Sequence, residues 1–551
     1  MSARELITEH LDLWTGAVTK KSSRGRGSNG KVELTGIKKL RELILELAIR
    51  GKLLDQSPDD KPAQQLLERC LEAKTEALQK GKLKKTRKQA AITKEDTPFT
   101  LPNRWIWSRL DDLVRVINGR AYKKHEMLAS GTPLLRVGNL FTSNEWYYSD
   151  LELEEDKYID SGDLIYAWSA SFGPFIWDGG RAIYHYHIWK LDFFDNEAIN
   201  KHFICLYLKA VTEEIKSSGS GIAMIHMTKA KMEELIVPLP PQQEQHRIVQ
   251  KVDELMALCD RLEQQTSDQL KAYETLVDTL LGTLTQSKNA TELADNWARL
   301  AAHFDTLFTT EQSIDKLKQT ILQLAVMGRL VEQDAGDESA ISYLTGWGIK
   351  ASEHEMPGWA TVELGSLGEI LGGATPSKRN PEFWSGSIPW VSPKDMKTSQ
   401  IFDSQDHVSE SAIDNSPLRT IPPQSILMVV RGMILAHSFP VAMTTTPVTI
   451  NQDMKALVPP RDLAPYLLLT LTAIKATVTN LVERSSHGTC KLKSETLWAL
   501  PIDLPPLKEQ MRILQKVDEL MALCDQLKER LNQASGTRCQ LAEAAADKAL
   551  N

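Results

Sequence analysis

The stretch QKVDELMALCD occupies residues 250–260 and recurs unchanged at residues 515–525. The identity extends outward from it. Residues 239–263 and 504–528 agree at 19 of 25 positions, and both copies open on Leu-Pro-Pro. The prolines end a preceding strand and stand where a helix can begin. Glu244 and Glu509 then fall near a helix N-terminus, where negative charge is favoured. Behind them Ile248, Val252, Leu255, Cys259 and Leu262 step by four and three, as do Ile513, Val517, Leu520, Cys524, Leu527 and Leu531. Leu270, Tyr273, Val277, Leu280 and Leu284 resume the pattern. The spacing predicts the seam of a long coiled-coil helix, and residues 242–286 would reach ~65 Å. The two seam cysteines read as small hydrophobes.

A second repeat lies outside the first. IKKLRELILELAIRGKLLDQ at 37–56 matches IDKLKQTILQLAVMGRLVEQ at 314–333, and Gly51 and Gly328 read as helix stops. The order is helix, insert, helix, given twice. Both inserts read as β-rich. Each opens on a Pro and Trp pair (LPNRWIWSRLDDL from 101, MPGWATVELGSL from 356) and turns through glycine at 116–122 and 370–376. Short strands are predicted at 163–168 and 426–430. Two similar frames with divergent contents suggest two readers of two different targets. Five segments are expected: 1–97, helical with a basic arm; 98–237, the first insert; 238–355, helical; 356–500, the second insert; and 501–551, helical.

Bulk properties bound the possibilities. At 551 residues the chain exceeds one core, so three or four domains are expected. No apolar run is long enough to span a membrane, and the start lacks the apolar region of a secretory signal. Six cysteines without a CxxC pair argue against a zinc knuckle or a disulfide framework, and a reducing cytoplasm fits them best. The net charge of −7 is uneven. Residues 1–97 hold 21 Lys+Arg against 14 Asp+Glu, and residues 238–355 hold 10 against 19, so the total says little about a local groove.

These features together resemble the specificity subunit of type I restriction-modification systems, over nearly the full length. The residues that carry the resemblance are LPPQQEQHRIVQKVDEL (239–255) and LPPLKEQMRILQKVDEL (504–520). GGATPS (372–377), FWSGSIPWVSPKDM (383–396), INQDM (450–454) and the order of the repeats support it. The resemblance implies an α+β fold: two α/β target-recognition domains separated by long antiparallel coiled-coil helices, with an internal pseudo-twofold repeat. It implies a non-catalytic subunit that reads a bipartite, asymmetric target on double-stranded DNA at a fixed spacing. Two methyltransferase subunits and two restriction (motor-nuclease) subunits would join it. They would bring S-adenosylmethionine, ATP and Mg to adenine methylation and ATP-dependent cleavage, so no cofactor is expected on this chain. Residues 1–97 are longer than the minimal family pattern. Their basic runs at 20–31 and 80–88 read either as a flexible arm and a solvated helix end or as phosphate contacts.

Reading DNA needs base-edge partners and phosphate anchors in loops carried by a rigid frame. In the first insert the candidates are Lys123, Lys124, Arg136, Asn139, Ser169, Ser171, Ser218, Ser220, His226, Lys229 and Lys231. In the second they are Thr375, Ser377, Lys378, Arg379, Lys394, Arg431, Ser485, Ser486, His487, Lys491 and Lys493. The plainer reading of any one of them is ordinary surface polarity. Trp390 reads as core. His185 and His187 alternate along a predicted strand and so share one face, but no third metal ligand lies nearby, and no metal site is expected.

Catalytic motifs are missing. The Pro-Pro pairs lack the Asp/Asn-Pro-Pro-aromatic pattern of adenine methyltransferases. GRGSNGKV at 25–32 has Val32 where a P-loop needs a hydroxyl. Pro58-Asp59 and the later EAK at 72–74 imitate a nuclease core but flank a predicted helix. The competing reading is a coiled-coil protein-assembly scaffold without DNA specificity, consistent with the acidic middle segment.

Overall fold

The computed structural model describes residues 3–20, 32–81, 91–169, 172–218, 227–484 and 489–550. The chain forms two compact units, one of residues 1–269 with 533–551 and one of residues 270–532. Each unit holds one insert.

In the first unit the helix Thr35–Ile49 buries Ile37, Leu40, Leu43, Ile44, Leu47 and Ala48. Gly51 stops it with φ 66°, and the Lys52 N–H closes back on the Leu47 carbonyl at 2.9 Å. This is a glycine-terminated helix cap, in which the left-handed residue satisfies the last carbonyls. In the second unit Thr310 caps the helix Glu311–Val326, and Gly328 ends it with φ 65°. There the Arg329 N–H reaches the Leu324 carbonyl at 2.9 Å.

The two long helices run over Gln242–Gln286 and Leu507–Leu550. The seam residues Ile248, Val252, Leu255, Cys259 and Leu262 are buried in the first unit's core, with Leu40, Ala542 and Ala546. In the second unit Val277, Leu281 and Leu284 are buried with Leu317, Ile321 and Cys524, and Leu520, Leu527 and Leu531 pack on them. Leu280, the expected seam residue, packs on this cluster half-buried, and Leu281 beside it is buried within it. Charges rim both seams. Arg41 pairs with Asp260 at 2.8 Å and Glu263 at 2.7 Å, and Lys528 pairs with Asp315 at 2.9 Å. Burial pushes the Cys259 thiol up to about 11, as befits an inert packing residue.

Each insert is closed by pairing its first strand with its last. Ile106–Arg109 runs antiparallel to Ile236–Leu239, and Ala360–Glu363 runs antiparallel to Pro501–Leu504. Within these clasps both inserts share one topology. In the first, one sheet has the order Val114–Asn118, Ile188–Phe193, Leu164–Ala167, Gly173–Ile176. The other joins Tyr147–Ser149, Thr132–Leu135, Ala182–Tyr184 and Tyr158–Ile159, with 132–135 and 182–184 parallel. In the second, the corresponding order is Glu369–Gly372, Met454–Val458, Ile426–Val429, Val441–Thr444, extended by Gln400–Ile401. Its other sheet is Asp406–Val408, Ile388–Val391, Thr449–Ile450, again with the last two parallel. The inserts therefore share more than the frame seen in sequence. Short buried strands tolerate many apolar residues, so topology persists where identity is lost.

Among the described residues no helix is long and apolar enough to cross a membrane. Residues 21–31 and 82–90, which hold most of the two basic runs, lie outside the described residues. Glu72–Lys74 sits within the helix Gln64–Gln79, and Lys74 bonds Asp111 at 2.7 Å and Asp112 at 3.1 Å. That arrangement is a half-buried structural link.

Candidate nucleic-acid interface

The same set of contacts fastens each insert to its helices. Trp105 lies under Gly51, where an added Cβ would sit 3.0 Å from the indole and 2.4 Å from the Pro102 ring. Its Nε1–H donates to Glu244 at 2.9 Å, and Gln56 donates to the same carboxylate at 3.1 Å. Three residues on, Arg247 forks onto the buried Asp60 at 3.1 and 2.5 Å. In the second unit Trp359 lies under Gly328 and donates to Glu509 at 3.3 and 3.2 Å. Gln333 also bonds Glu509, and Arg512 bonds Asp337 at 2.7 Å. Glu244 and Glu509 are each only 1% exposed. Burial raises both carboxyls above the usual carboxylate range, and the indole bonds oppose the rise. These glutamates do more than sit favourably at a helix start. Each ties an insert to its helix through a tryptophan more than a hundred residues away.

Beyond this joint, four strands of each insert end side by side. In the first, Lys123 and Lys124 follow Val114–Asn118, Arg136 and Asn139 follow Thr132–Leu135, and Ser169 follows Leu164–Ala167. The fourth strand, Ala182–Tyr184, leads into a turn at 185–187. Backbone bonds lock the ends together. The Arg120 N–H reaches the Tyr184 carbonyl at 3.1 Å, the His185 N–H the Leu135 carbonyl at 2.9 Å, and the Trp168 N–H the His187 carbonyl at 3.0 Å.

The second insert repeats this bond for bond. Thr375, Ser377, Lys378 and Arg379 follow Glu369–Gly372, Lys394 follows Ile388–Val391, and Arg431 follows Ile426–Val429. The fourth strand, Thr449–Ile450, leads into a turn at 451–453. The Ala374 N–H reaches the Ile450 carbonyl at 3.0 Å, the Asn451 N–H the Val391 carbonyl at 3.0 Å, and the Val430 N–H the Asp453 carbonyl at 2.9 Å. Close approach requires glycine at the same place in each. A Cβ on Gly119 would lie 2.4 Å from the His185 carbonyl oxygen, and one on Gly373 would lie 1.9 Å from that of Asn451. Trp390 is buried, as expected, and its Nε1–H donates to the Ala374 carbonyl at 2.9 Å.

The strand ends thus gather most of the described candidates. Lys123, Lys124, Arg136, Thr375, Ser377, Lys378, Arg379, Lys394 and Arg431 are exposed there, and Asn139 and Ser169 are half-buried. Lys491 joins them through a bridge to Arg431, flanked by Gly432 N–H to Cys490 and Leu492 N–H to Val430 carbonyl bonds, both 3.0 Å. Among the described residues neither Arg431 nor Lys491 has an acidic partner. Glu483 stands across from Lys491 but pairs with Lys493, so the site carries a net positive charge that suits a polyanion.

Other candidates are occupied or lie elsewhere. The Asn139 carboxamide accepts the Arg136 N–H at 3.1 Å and donates to the Glu145 carbonyl at 2.7 Å, a turn-capping role. Asp395 makes the equivalent cap on Ser392 at 2.8 Å. Lys493 pairs with Glu483 at 2.6 Å. Lys229 and Lys231 ride the helix Lys229–Glu234, which packs on Leu110–Leu113 at the start of the 114–118 strand, so they are not brought to the strand ends. Ser218 closes the helix Lys201–Ser218. Ser171, Ser220, His226, Ser485, Ser486 and His487 lie outside the described residues.

His185 and His187 do not alternate along a strand. They sit in the turn before Ile188–Phe193, with the Ile188 N–H closing on the His185 carbonyl at 2.9 Å and the two rings 4.9 Å apart. Burial pushes His185 down to about 4, helped by His187 and Arg136. Among the described residues no group of three or more His, Cys, Asp or Glu could hold a metal. Sequence reading also missed Arg120, whose guanidinium forks onto Glu126 at 3.2 and 2.7 Å and holds that carboxyl down at about 2. The pair orders the loop that presents Lys123 and Lys124. Its sequence signal was an Arg and a Glu six residues apart around a basic doublet.

The family described as "Type I restriction modification DNA specificity domain" matches residues 102–272 and 356–534. Two relatives from Escherichia coli are the type I restriction enzyme EcoAI specificity subunit and the type I restriction enzyme EcoEI specificity subunit. Each is 33% identical to this chain, over 613 and 612 residues, with 100% of both chains covered. Among solved structures, the HsdS subunit from Thermoanaerobacter tengcongensis aligns at 18% identity and a TM-score of 0.42, covering 82% of this chain and 98% of that one.

Proposed function

The chain belongs to the type I restriction-modification DNA specificity family, and on that premise we propose that it reads a bipartite, asymmetric DNA target, one half with each insert. The observation that carries this reading is the pairing of sameness with difference. Two domains share a topology, a joint and a backbone frame at four strand ends, while the side chains presented there differ. Identical frames with unlike faces suit unlike half-sites.

The chain itself is the non-catalytic specificity subunit. It directs adenine methylation and ATP-dependent cleavage by partners: two methyltransferase subunits and two restriction subunits, which bring S-adenosylmethionine, ATP and Mg. The expected compartment is the cytoplasm. The helices Gln242–Gln286 and Leu507–Leu550 are 45 and 44 residues long, which supports a spacer role. The start of the first shares a core with the end of the second, and its end shares one with the start, which favours antiparallel pairing. Arg431 and Lys491, with Lys123, Lys124, Lys378, Arg379 and Lys394, serve as phosphate or guanine contacts, and Arg136 joins them.

The test is binding of the assembled methyltransferase complex to DNA across a salt series, with methylated adenines mapped by sequencing. The reading predicts a two-part motif with a fixed gap and a steep fall in affinity with salt. A salt-insensitive complex without a motif would favour a protein scaffold instead.

A further inference from the structure

We propose that Met433 and Ile434 form an apolar wedge that parts one step of stacked bases at the second half-site. The assignment rests on the DNA-reading function above and goes beyond it, since it makes the second insert deform the duplex as well as read it.

The wedge stands on a loop that only the second insert has at this length. In the first insert, residues 168–172 join Leu164–Ala167 to Gly173–Ile176, its antiparallel neighbour. In the second, residues 430–440 make the same connection, from Ile426–Val429 to Val441–Thr444. The frame common to the two inserts does not require the extension. Between Met433 and Phe439 four residues are large and apolar, and they divide evenly. Leu435 and Phe439 are fully buried and root the loop in the domain core, whereas Met433 is 59% exposed and Ile434 39% exposed.

The exposed pair is held on a fixed turn. Gly432 bends the chain with φ 127°, and its N–H bonds the Cys490 carbonyl at 3.0 Å. Met433–Ala436 is a short helical turn, closed by the Leu435 N–H on the Gly432 carbonyl at 3.2 Å. The His437 and Ser438 N–H groups both bond the Ile434 carbonyl, at 3.1 and 3.0 Å. Little ordering is left to do when a ligand arrives, which favours binding.

The neighbours of the pair decide what it meets. Arg431 stands two residues before Met433, and Lys491 is bridged to Arg431. Both are exposed, and as phosphate anchors they would hold a duplex at the foot of the loop. A phosphate offers nothing to a thioether or a branched alkyl group. The apolar part of a duplex is its stack of bases, and Met and Ile are among the side chains that enter it between steps. Apolar residues scattered singly over a surface need no explanation. Two adjacent ones, kept rigid beside cations on an extension of one insert alone, are placed to act as a wedge.

The experiment uses the full chain assembled with its methyltransferase partner. Duplexes carry 2-aminopurine, an adenine analogue that brightens when unstacked, at one position at a time outside the methylated adenines. The wild type is expected to brighten one step at the second half-site and none at the first. Met433→Gln keeps the length of the side chain but not its apolar character, and combined with Ile434→Thr it is expected to abolish that signal. Affinity of the double variant for the target is expected to fall about tenfold, with the salt slope unchanged because no charge is removed. Met433→Leu is expected to keep both signal and affinity. A wild type that brightens no step, or a double variant that brightens and binds as the wild type does, would overturn the wedge. So would a loss confined to one base pair, which marks a thymine-methyl contact, or a loss of subunit assembly, which gives the pair to a protein partner. In each of these cases a two-part wild-type motif leaves the function standing. A wild-type complex with no such motif would overturn the function and the wedge with it.

Discussion

Trp105 and Glu244, 139 residues apart in sequence, meet through a 2.9 Å hydrogen bond from the indole N–H to a buried carboxylate. Trp359 and Glu509 meet the same way in the second unit. Removing the donor strands a buried acceptor, which costs about 1–3 kcal/mol. Trp105→Phe and Trp359→Phe are each expected to lower the melting temperature of the full chain. Glu244→Gln keeps an acceptor without a buried charge, so its loss is expected to be smaller than that of Trp105→Phe. Thermal melts of the three variants check the order.

Gly51 and Gly328 combine a left-handed backbone with no room for a side chain. Gly51→Ala is strained by its φ and drives a Cβ into Pro102. The expected loss is more than about 1 kcal/mol, read by denaturant unfolding, with Gly328→Ala behaving alike. The two sites fall in separate units and share no partner, so their costs are expected to add in the double variant.

How much of this was legible in the sequence depended on the range of the cause. The helix stops at Gly51 and Gly328 and the seam through Cys259 were readable because each depends on neighbours within a turn or two. The burial of Leu281 beside the expected Leu280 reflects the drift of a 3.6-residue helix against a seven-residue repeat. The joint was not readable, since nothing local tells Trp105 that Glu244 is its partner. The turn at 185–187 was mistaken for strand because the alternating His-Tyr-His within IYHYHIW imitates a period of two. The candidates Lys123, Arg136, Thr375, Lys394 and Arg431 fall at strand ends because such ends are marked by glycine, proline and charge. Lys229 and Lys231 carry the same mark but ride a helix that packs beside the start of the 114–118 strand, away from the converging ends.

His185 gives a pH dependence with a definite sign. Its folded pKa is pushed to about 4, below the unfolded value near 6.5, so the native state resists its protonation. Stability from this group is complete above about pH 6.5 and is lost as the pH falls toward 4. His185→Gln is expected to flatten that part of the melting-temperature profile. An unchanged acid slope would mean that His185 is not its source.

Arg431 and Lys491 are partners across a β-bridge, and Glu483 on the other side of Lys491 pairs with Lys493. Arg431→Gln and Lys491→Gln are expected to weaken DNA binding by the assembled complex. For a pure phosphate contact, each would weaken all sequences alike and reduce the salt slope by about one. If Arg431 instead reads a guanine, its variant would relax one position of the second half-site. Titrations at several salt concentrations on matched and single-base-changed duplexes distinguish the two.

The most direct measurement exchanges the first insert, residues 98–237, for that of a relative and maps the methylated adenines in a host carrying the complete system. The account predicts that one half of the recognised sequence changes while the other half and the gap stay as they were. A change in both halves, or in neither, would contradict it.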